Sequence, residues 1–314
     1  MATEPFSSPH TTRILITGGM GFFGWNAVRR LLQRGIVPMV ASALPSRYAP
    51  ELSPQPIFLD ITNEASIEAC LHRHSPTAIL HAAAFSAPLA CEKDPELAYR
   101  INAAGTRNIL HYAAQFDIPL VFLSTDLVFR GKKNALEEGF YTESDAPDAC
   151  IVYGQTKIAA ERLFQDHTFG KWLIVRSALM FGRQVEWANG FPQFAVNLLQ
   201  SGKSTTLFTD QFRTPAYIPD IIDAILLLLS GEHYGKIYHC GGIERIDRAS
   251  FVRRYCAIAG VETSGIIACA MDDVPEYTTR VEDVSLSSDM LLTTLSYTFW
   301  KPTSLESSFH AMVG

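Results

Sequence analysis

Three glycines at positions 18, 21 and 24, in TGGMGFFG, constrain this chain more than any other stretch because of what flanks them. Before them, RILIT at 13–17 is a short apolar run of strand character. After them, residues 22–33 carry apolar side chains at 22, 23, 25, 27, 28, 31 and 32, the spacing of a helix that ends before Gly35. The order is strand, tight turn, helix. Gly18 permits the sharp bend, Gly21 lets a ligand come close to the backbone, and Gly24 allows the helix to pack on the strand. The helix start offers free N–H groups and partial positive charge, a ready seat for a pyrophosphate. A glycine-rich structural turn is the plainer alternative, and the flanking strand and helix argue against it.

The pattern continues through the chain. Buried-strand runs stand at 37–41, 57–59, 78–81, 120–123, 173–176 and 237–240, with helical patterns near 64–73, 95–115 and 155–167 between them. Strands alternating with helices give an α/β fold, a Rossmann-type doubly wound parallel sheet. Beyond Arg176 the pattern is broken by Gly182, Gly190, Pro192, Gly202 and Pro215, which implies a smaller, discontinuous C-terminal substrate lobe. The expected division is a flexible leader at 1–12, a dinucleotide-binding domain at 13–177 completed by about 209–242, and a lobe made of 178–208 and 243–314. The polar stretch 130–148 is the one long connection, a candidate lid or pocket wall.

Composition narrows the function classes. With 26 Lys and Arg against 32 Asp and Glu the net charge is −6, which argues against a nucleic-acid binder. The apolar stretch at 224–229 is far shorter than the roughly 20 residues of a membrane span, and the polar N-terminus lacks the pattern of a signal peptide. The six cysteines form no CxxC pair and sit in apolar segments, so they read as small buried hydrophobes in a reducing, cytoplasmic setting, with no metal site implied.

Two further signals carry chemistry. Tyr153 and Lys157, in YGQTK, are four residues apart at the start of a helical pattern and share one helix face. A phenol has an ordinary pKa of about 10, and a neighbouring ammonium favours its ionised form, so such a pair can act as general acid or base. The same spacing also occurs on ordinary amphipathic helices. In VFLSTDLVF, Ser124, Thr125 and Asp126 stand where a strand ends, at the carboxyl edge where open α/β sheets bind ligands. A hydroxyl there can hold a carbonyl oxygen beside the tyrosine, or simply satisfy turn backbone. The second strand and its exit, 37–48, contain no acid to bind a ribose 2′-hydroxyl. Ser42 and Arg47 could receive a 2′-phosphate, which favours NADP(H) and leaves NAD(H) possible.

With TGGMGFFG, Asp60-Ile61, HAAA at 81–84, Asn102 in INAAGT, STDLVF, YGQTK, Arg176 in VRSALMFG and FRTPAYIPD at 212–220, the chain resembles the extended short-chain dehydrogenase/reductase family, most closely its dTDP-4-dehydrorhamnose reductase branch. The resemblance runs from about Arg13 to the C-terminus. It implies that Gly18, Gly21, Phe22, Phe23 and Gly24 hold the pyrophosphate, that Asp60 and Ile61 meet the adenine, and that Ala82, Ala83 and Ala84 line the cofactor path. Asn102 would be a structural or proton-relay residue near the cofactor. Tyr153 would protonate the substrate oxygen, Lys157 would bind the nicotinamide ribose and lower the tyrosine pKa, and Thr125 would hydrogen-bond the reacting carbonyl. Phe85, Asp126, Leu127, Leu179, Asn189 and Arg213 would face a nucleotide-sugar substrate.

Against the branch pattern, Leu127 replaces a tyrosine, Leu179 a tryptophan, Val281 a proline and Asp289 a lysine, while Arg280 is kept. The implied activity is NADP(H)-dependent reduction of the 4-keto group of a nucleotide-activated deoxysugar. A 4,6-dehydratase would carry a second acid where Leu127 stands. A nucleotide-sugar 4-epimerase and a cofactor-binding regulatory protein similar to the methionine adenosyltransferase beta subunit are the other readings, and a homodimer is open.

Overall fold

The four-residue turn after the first strand is the entry to a seven-stranded, all-parallel sheet. In the computed structural model, which describes residues 12–44, 53–131, 139–188, 190–274 and 281–313, the strands are β1 (Ile14–Thr17), β2 (Met39–Ser42), β3 (Ile57–Phe58), β4 (Ala78–His81), β5 (Leu120–Thr125), β6 (Trp172–Ser177) and a last strand, Lys236–Cys240. Their order across the sheet is β3, β2, β1, β4, β5, β6 and the last strand. Every pair is parallel, with Thr17 beside His81 and Ser124 beside Arg176. The chain builds outward from β1 in one direction and then returns to start β4 on its other side. That reversal opens a crevice at the carboxyl ends of β1 and β4, where such sheets bind ligands.

Helices cover both faces, which is why all six residues of β5 and of β6 are buried. On one face, α1 (Phe22–Gln33) packs Val28 and Leu31 with Ile221 and Ile225 of a later helix, Ile218–Ser230. Asp223 of that helix accepts from both Arg30 (2.9 and 2.5 Å) and Arg34 (3.1 and 2.5 Å), so these arginines tie helix to helix. On the other face, α2 (Glu64–His74), a helix at Thr106–Gln115 and another at Val152–Gln165 contribute Ile67, Leu71, Ile109, Ala113, Ala160 and Phe164.

The helical pattern expected over 95–115 is not one helix. Asp94 caps a short helix, Pro95–Tyr99, by accepting from the Leu97 N–H (2.9 Å), and residues 100–105 form a π-turn before the helix resumes at Thr106. The π-turn places Asn102 inward. Its amide accepts from the Phe85 N–H (2.7 Å) and donates to the Phe85 carbonyl (3.0 Å) and to Thr156 (3.0 Å). A turn of this kind redirects one side chain at the expense of regular hydrogen bonding.

A third apolar cluster lies apart from the sheet. Phe181, Val196, Leu207, Phe251, Val252 and Phe309 anchor it. Residues Val281, Val284, Leu286, Leu291 and Leu295, which the sequence assigns to the lobe, pack instead into the cluster on the main sheet. The described part of 130–148 lines none of the cleft; it packs over the sheet, where Tyr141 stacks on Phe129 (4.2 Å) and Glu143 accepts from the His239 N–H (2.7 Å). Of the cysteines, all free, Cys150 is exposed and Cys269 half-buried, a correction to the expectation that all six are core. No helix among the described residues is long and apolar enough to cross a membrane.

Candidate active site

A cleft of about 780 Å³ follows the carboxyl edge of the sheet. One end is built on glycines. Gly18 has φ +66°, and a Cβ there would lie 2.7 Å from the Ala83 Cα; a Cβ at Gly24 would lie 2.4 Å from the Gly18 carbonyl. Backbone therefore meets backbone at this turn. The start of α1 has no side-chain cap and no acidic residue in its first turn, so its N–H groups are left for an anion from outside the chain. Those features fit the pyrophosphate of a dinucleotide.

Beneath the turn, a chain of hydrogen bonds fixes the Ala82–Ala84 segment. The Thr106 hydroxyl donates to the Asn102 carbonyl (2.6 Å), so it accepts from His81 Nε2–H (3.0 Å). His81 Nδ1 then accepts from the Thr17 hydroxyl (2.6 Å), whose oxygen receives the Ala82 and Ala83 N–H groups (both 3.2 Å). His81 is neutral, its pKa pushed down to about 3 by burial and by the nearby Lys157. It is a satisfied core histidine.

Thr125, Tyr153 and Lys157 line the middle of the cleft. The helix at Val152–Gln165 begins three residues earlier than the sequence pattern suggests, putting Tyr153 in its first turn. Gly154 lets that turn close on the end of β5, for a Cβ there would lie 2.0 Å from the Leu127 carbonyl. The Thr125 hydroxyl donates to Asp126 (3.0 Å) and accepts from the Leu127 N–H (3.2 Å). Lys157 is buried with Nζ 3.9 Å from the centre of the Phe122 ring, and burial brings its pKa down to about 7 against the pull of Glu161. The expectation that Lys157 lowers the Tyr153 pKa is corrected here: burial, then the charges of Asp126 and Cys91, push the phenol up. Tyr153 holds its proton at neutral pH.

One turn beyond Lys157, Glu161 is buried against Arg176 (2.7 Å) and accepts from Ser124 (2.5 Å). Arg176 also donates to His239 Nε2 (3.3 Å), and His239 donates through Nδ1 to the Tyr141 carbonyl (3.1 Å). This network locks the ends of β5, β6 and the last strand under the site.

The RmlD substrate binding domain matches residues 12–311. The chain belongs to that family. It is an extended short-chain dehydrogenase/reductase of the dTDP-4-dehydrorhamnose reductase-like branch. It is similar to the dTDP-4-keto-6-deoxy-D-glucose reductase of Streptomyces niveus, 31% identical over 220 residues that cover 70% of this chain and 69% of the relative. It is also similar to methionine adenosyltransferase 2 subunit beta of Xenopus laevis, 27% identical over 252 residues, 79% of this chain and 71% of that one. In fold it matches the dTDP-4-dehydrorhamnose reductase of Bacillus anthracis str. Ames, solved in complex with NADP, with a TM-score of 0.80 at 24% identity over 96% of this chain and 98% of the other.

Within this RmlD-family chain the cleft brings together most of the residues singled out from sequence. Gly18, Gly21, Phe22, Phe23, Gly24, Ser42, Asp60, Ile61 and Ala82–Ala84 line the glycine end; Asp126, Leu127, Leu179 and Arg213 line the other. Two depart from expectation. Asn102 does not line the cleft, because its amide is committed to Phe85 and Thr156. Phe85 is held by that amide and does not line it either, whereas Ser86 and Pro88 do. Arg47 and Asn189 lie outside the described residues.

Arg213 is buried and donates to the carbonyls of Phe212 (2.6 Å), Glu282 (3.0 Å) and Val281 (3.1 Å), with Nε 3.5 Å from Asp126. It shapes the pocket wall through these bonds. Asp126 itself is buried, which raises its pKa in spite of Arg213. Sequence reasoning missed Phe191, Gln211 and Arg248. Arg248 opens the helix Arg248–Ala259 and lies over the Phe191 ring at 4.7 Å. The Asp247 cap just before it, which accepts from Ser250 (2.8 Å), is the one sequence signal that marks that helix start.

Proposed function

We propose that this chain is an NADP(H)-dependent reductase of the 4-keto group of a nucleotide-activated deoxysugar. The observation that carries the reading is the sharing of one cleft by an uncapped glycine cradle and by Thr125, Tyr153 and Lys157. Gly18–Gly24 would hold the pyrophosphate, Ala82–Ala84 the length of the dinucleotide, and Ser42 the ribose that carries the 2′-phosphate. When bound, the cofactor supplies hydride. Tyr153, kept protonated by burial and by Asp126, donates its proton to the carbonyl oxygen, the direction a reduction needs. The Thr125 hydroxyl, turned from its bond to Asp126, would donate to the same oxygen and, with Tyr153, stabilise charge that develops there. Lys157, poised near neutrality, orients the cofactor ribose and resupplies positive charge beside the phenolate left behind.

The test is NADPH oxidation in the presence of dTDP-4-keto-6-deoxyhexoses, compared with NADH. Turnover with NADPH that falls about 10²- to 10⁴-fold in Tyr153→Phe is expected, with cofactor affinity unchanged. Binding of the dinucleotide without turnover of any keto sugar would replace the reductase by a regulatory reading. Tightly bound NAD in the purified protein would favour an epimerase.

A further inference from the structure

The segment between the strand pair at 180–181 and the helix Gln193–Gln200 is stitched to the glycine turn and to α1. The Trp187 indole N–H donates to the Met20 carbonyl (2.9 Å), and its ring meets Trp25 edge-on at 5.2 Å. Asn26 donates to the carbonyls of Phe22 (2.9 Å) and Arg183 (3.0 Å), and Arg29 donates to the Gln184 carbonyl (3.0 Å). Gly190 lies so close to Phe22 that a Cβ would sit 2.1 Å from its ring. Val185 and Trp25 are buried, so the segment is a packed strap.

The Met20 carbonyl belongs to the same rigid peptide unit as the Gly21 N–H, which donates to the Gly18 carbonyl (2.9 Å). That plane is thus gripped at both ends, once by the turn itself and once by Trp187. Rotating it would swing the backbone of the turn that faces the anion seat. Phe191, three residues beyond the strap, lines the same cleft as Met20 and Phe22.

We propose that Trp187 is a positioning residue for the dinucleotide cradle, and that the strap at 183–188 transmits occupancy of the cradle to the sugar side of the cleft. The inference rests on the reading of the glycine end as a dinucleotide seat. Removing the indole donor leaves the Met20 carbonyl without its partner and frees the peptide plane.

Trp187→Phe keeps a ring against Trp25 and deletes the donor. Isothermal titration with NADPH and with NADH is expected to show Kd raised about three- to thirtyfold; a lowered melting temperature with Kd unchanged would mean a merely structural role and overturn the positioning claim. On the unmodified protein, amide hydrogen exchange is expected to slow over 183–188 when NADP⁺ is added, and unchanged exchange there would overturn the coupling. Should the variant not fold, the exchange measurement decides the coupling, and the same Kd comparison in Trp187→Met, which also lacks the indole donor, decides the positioning. Failure of the unmodified protein to bind either dinucleotide would instead remove the cofactor reading, and this inference with it.

Discussion

The two ends of the cleft are built by different means. At the glycine end the lining is mostly backbone and small side chains, each within a few residues of a strand end: Gly18–Gly24 after β1, Ser42 on β2, Ala82–Ala84 after β4. At the sugar end, Leu127, Leu179, Phe191, Gln211, Arg213, Arg248 and Val281 come from separate stretches, and side-chain contacts hold them. The sheet itself places the first end. The second depends on which side chains stand there, so it can change substrate while the fold and the chemistry stay fixed.

The largest disturbance should come from beneath the middle of the cleft, under β5 and β6. Glu161→Ala would leave the Arg176 guanidinium buried beside a lost partner, a loss of about 3–5 kcal/mol in folding stability. Urea denaturation measures it. A variant as stable as the parent would mean that the network under β5 and β6 does not hold the site.

A dependence on pH follows from groups buried along the sheet. His81 and His239 are pushed down to about 3 by burial, while unfolded imidazoles titrate near 6.5. Between those values the unfolded chain binds more protons, so stability falls as pH drops from about 6.5, by about 1.4 kcal/mol per pH unit for each proton of difference. Lys157, at about 7, gives the same sign over the range up to its ordinary value: stability falls as pH drops from about 10.4 to about 7, and no further below. Urea midpoints across pH check both, and the alkaline slope should flatten in Lys157→Met.

This division also explains what could be read from the sequence. The inner strands β1, β4, β5 and β6 announce themselves because each is a run that parallel pairing buries on both faces, and the cradle because glycine spacing is itself the backbone requirement. The break at 100–105 is hidden because RINAAG sits inside a longer helical pattern, and the tertiary demand for Asn102 to reach the Phe85 backbone accompanies the π-turn there. Arg213 was visible as a cation in a motif, yet its role follows from the carbonyls of Phe212, Val281 and Glu282 around it, two of them about 70 residues away. Arg248 and Gln211 join the cleft by packing between distant segments, which no local spacing encodes.

A smaller effect tests the backbone character of the glycine end. In Gly18→Ala the left-handed conformation costs roughly 1–2 kcal/mol, and the added carbon overlaps the Ala83 backbone. The Kd for NADPH should rise at least about tenfold, with KM for the keto sugar little changed. An unaltered Kd would show that the turn has room to give, and the contrast between the two ends would blur.

The smallest expected change lies at the other end, in Leu127→Tyr. The Leu127 backbone is fixed, since its N–H donates to Thr125 (3.2 Å) and its carbonyl is closely covered by Gly154. Only the side chain is then free to alter the pocket. An aromatic ring gains about 0.5–1.5 kcal/mol against a well-placed partner, so KM for a dTDP-4-keto-6-deoxyhexose should shift about two- to tenfold while kcat and cofactor Kd hold. The comparison fails if Kd for NADPH moves as much as KM does, because Leu127 would then belong to both ends. If KM alone responds, its direction tells whether the native substrate of this cleft is a sugar that wants a stacking platform or one that fits the leucine.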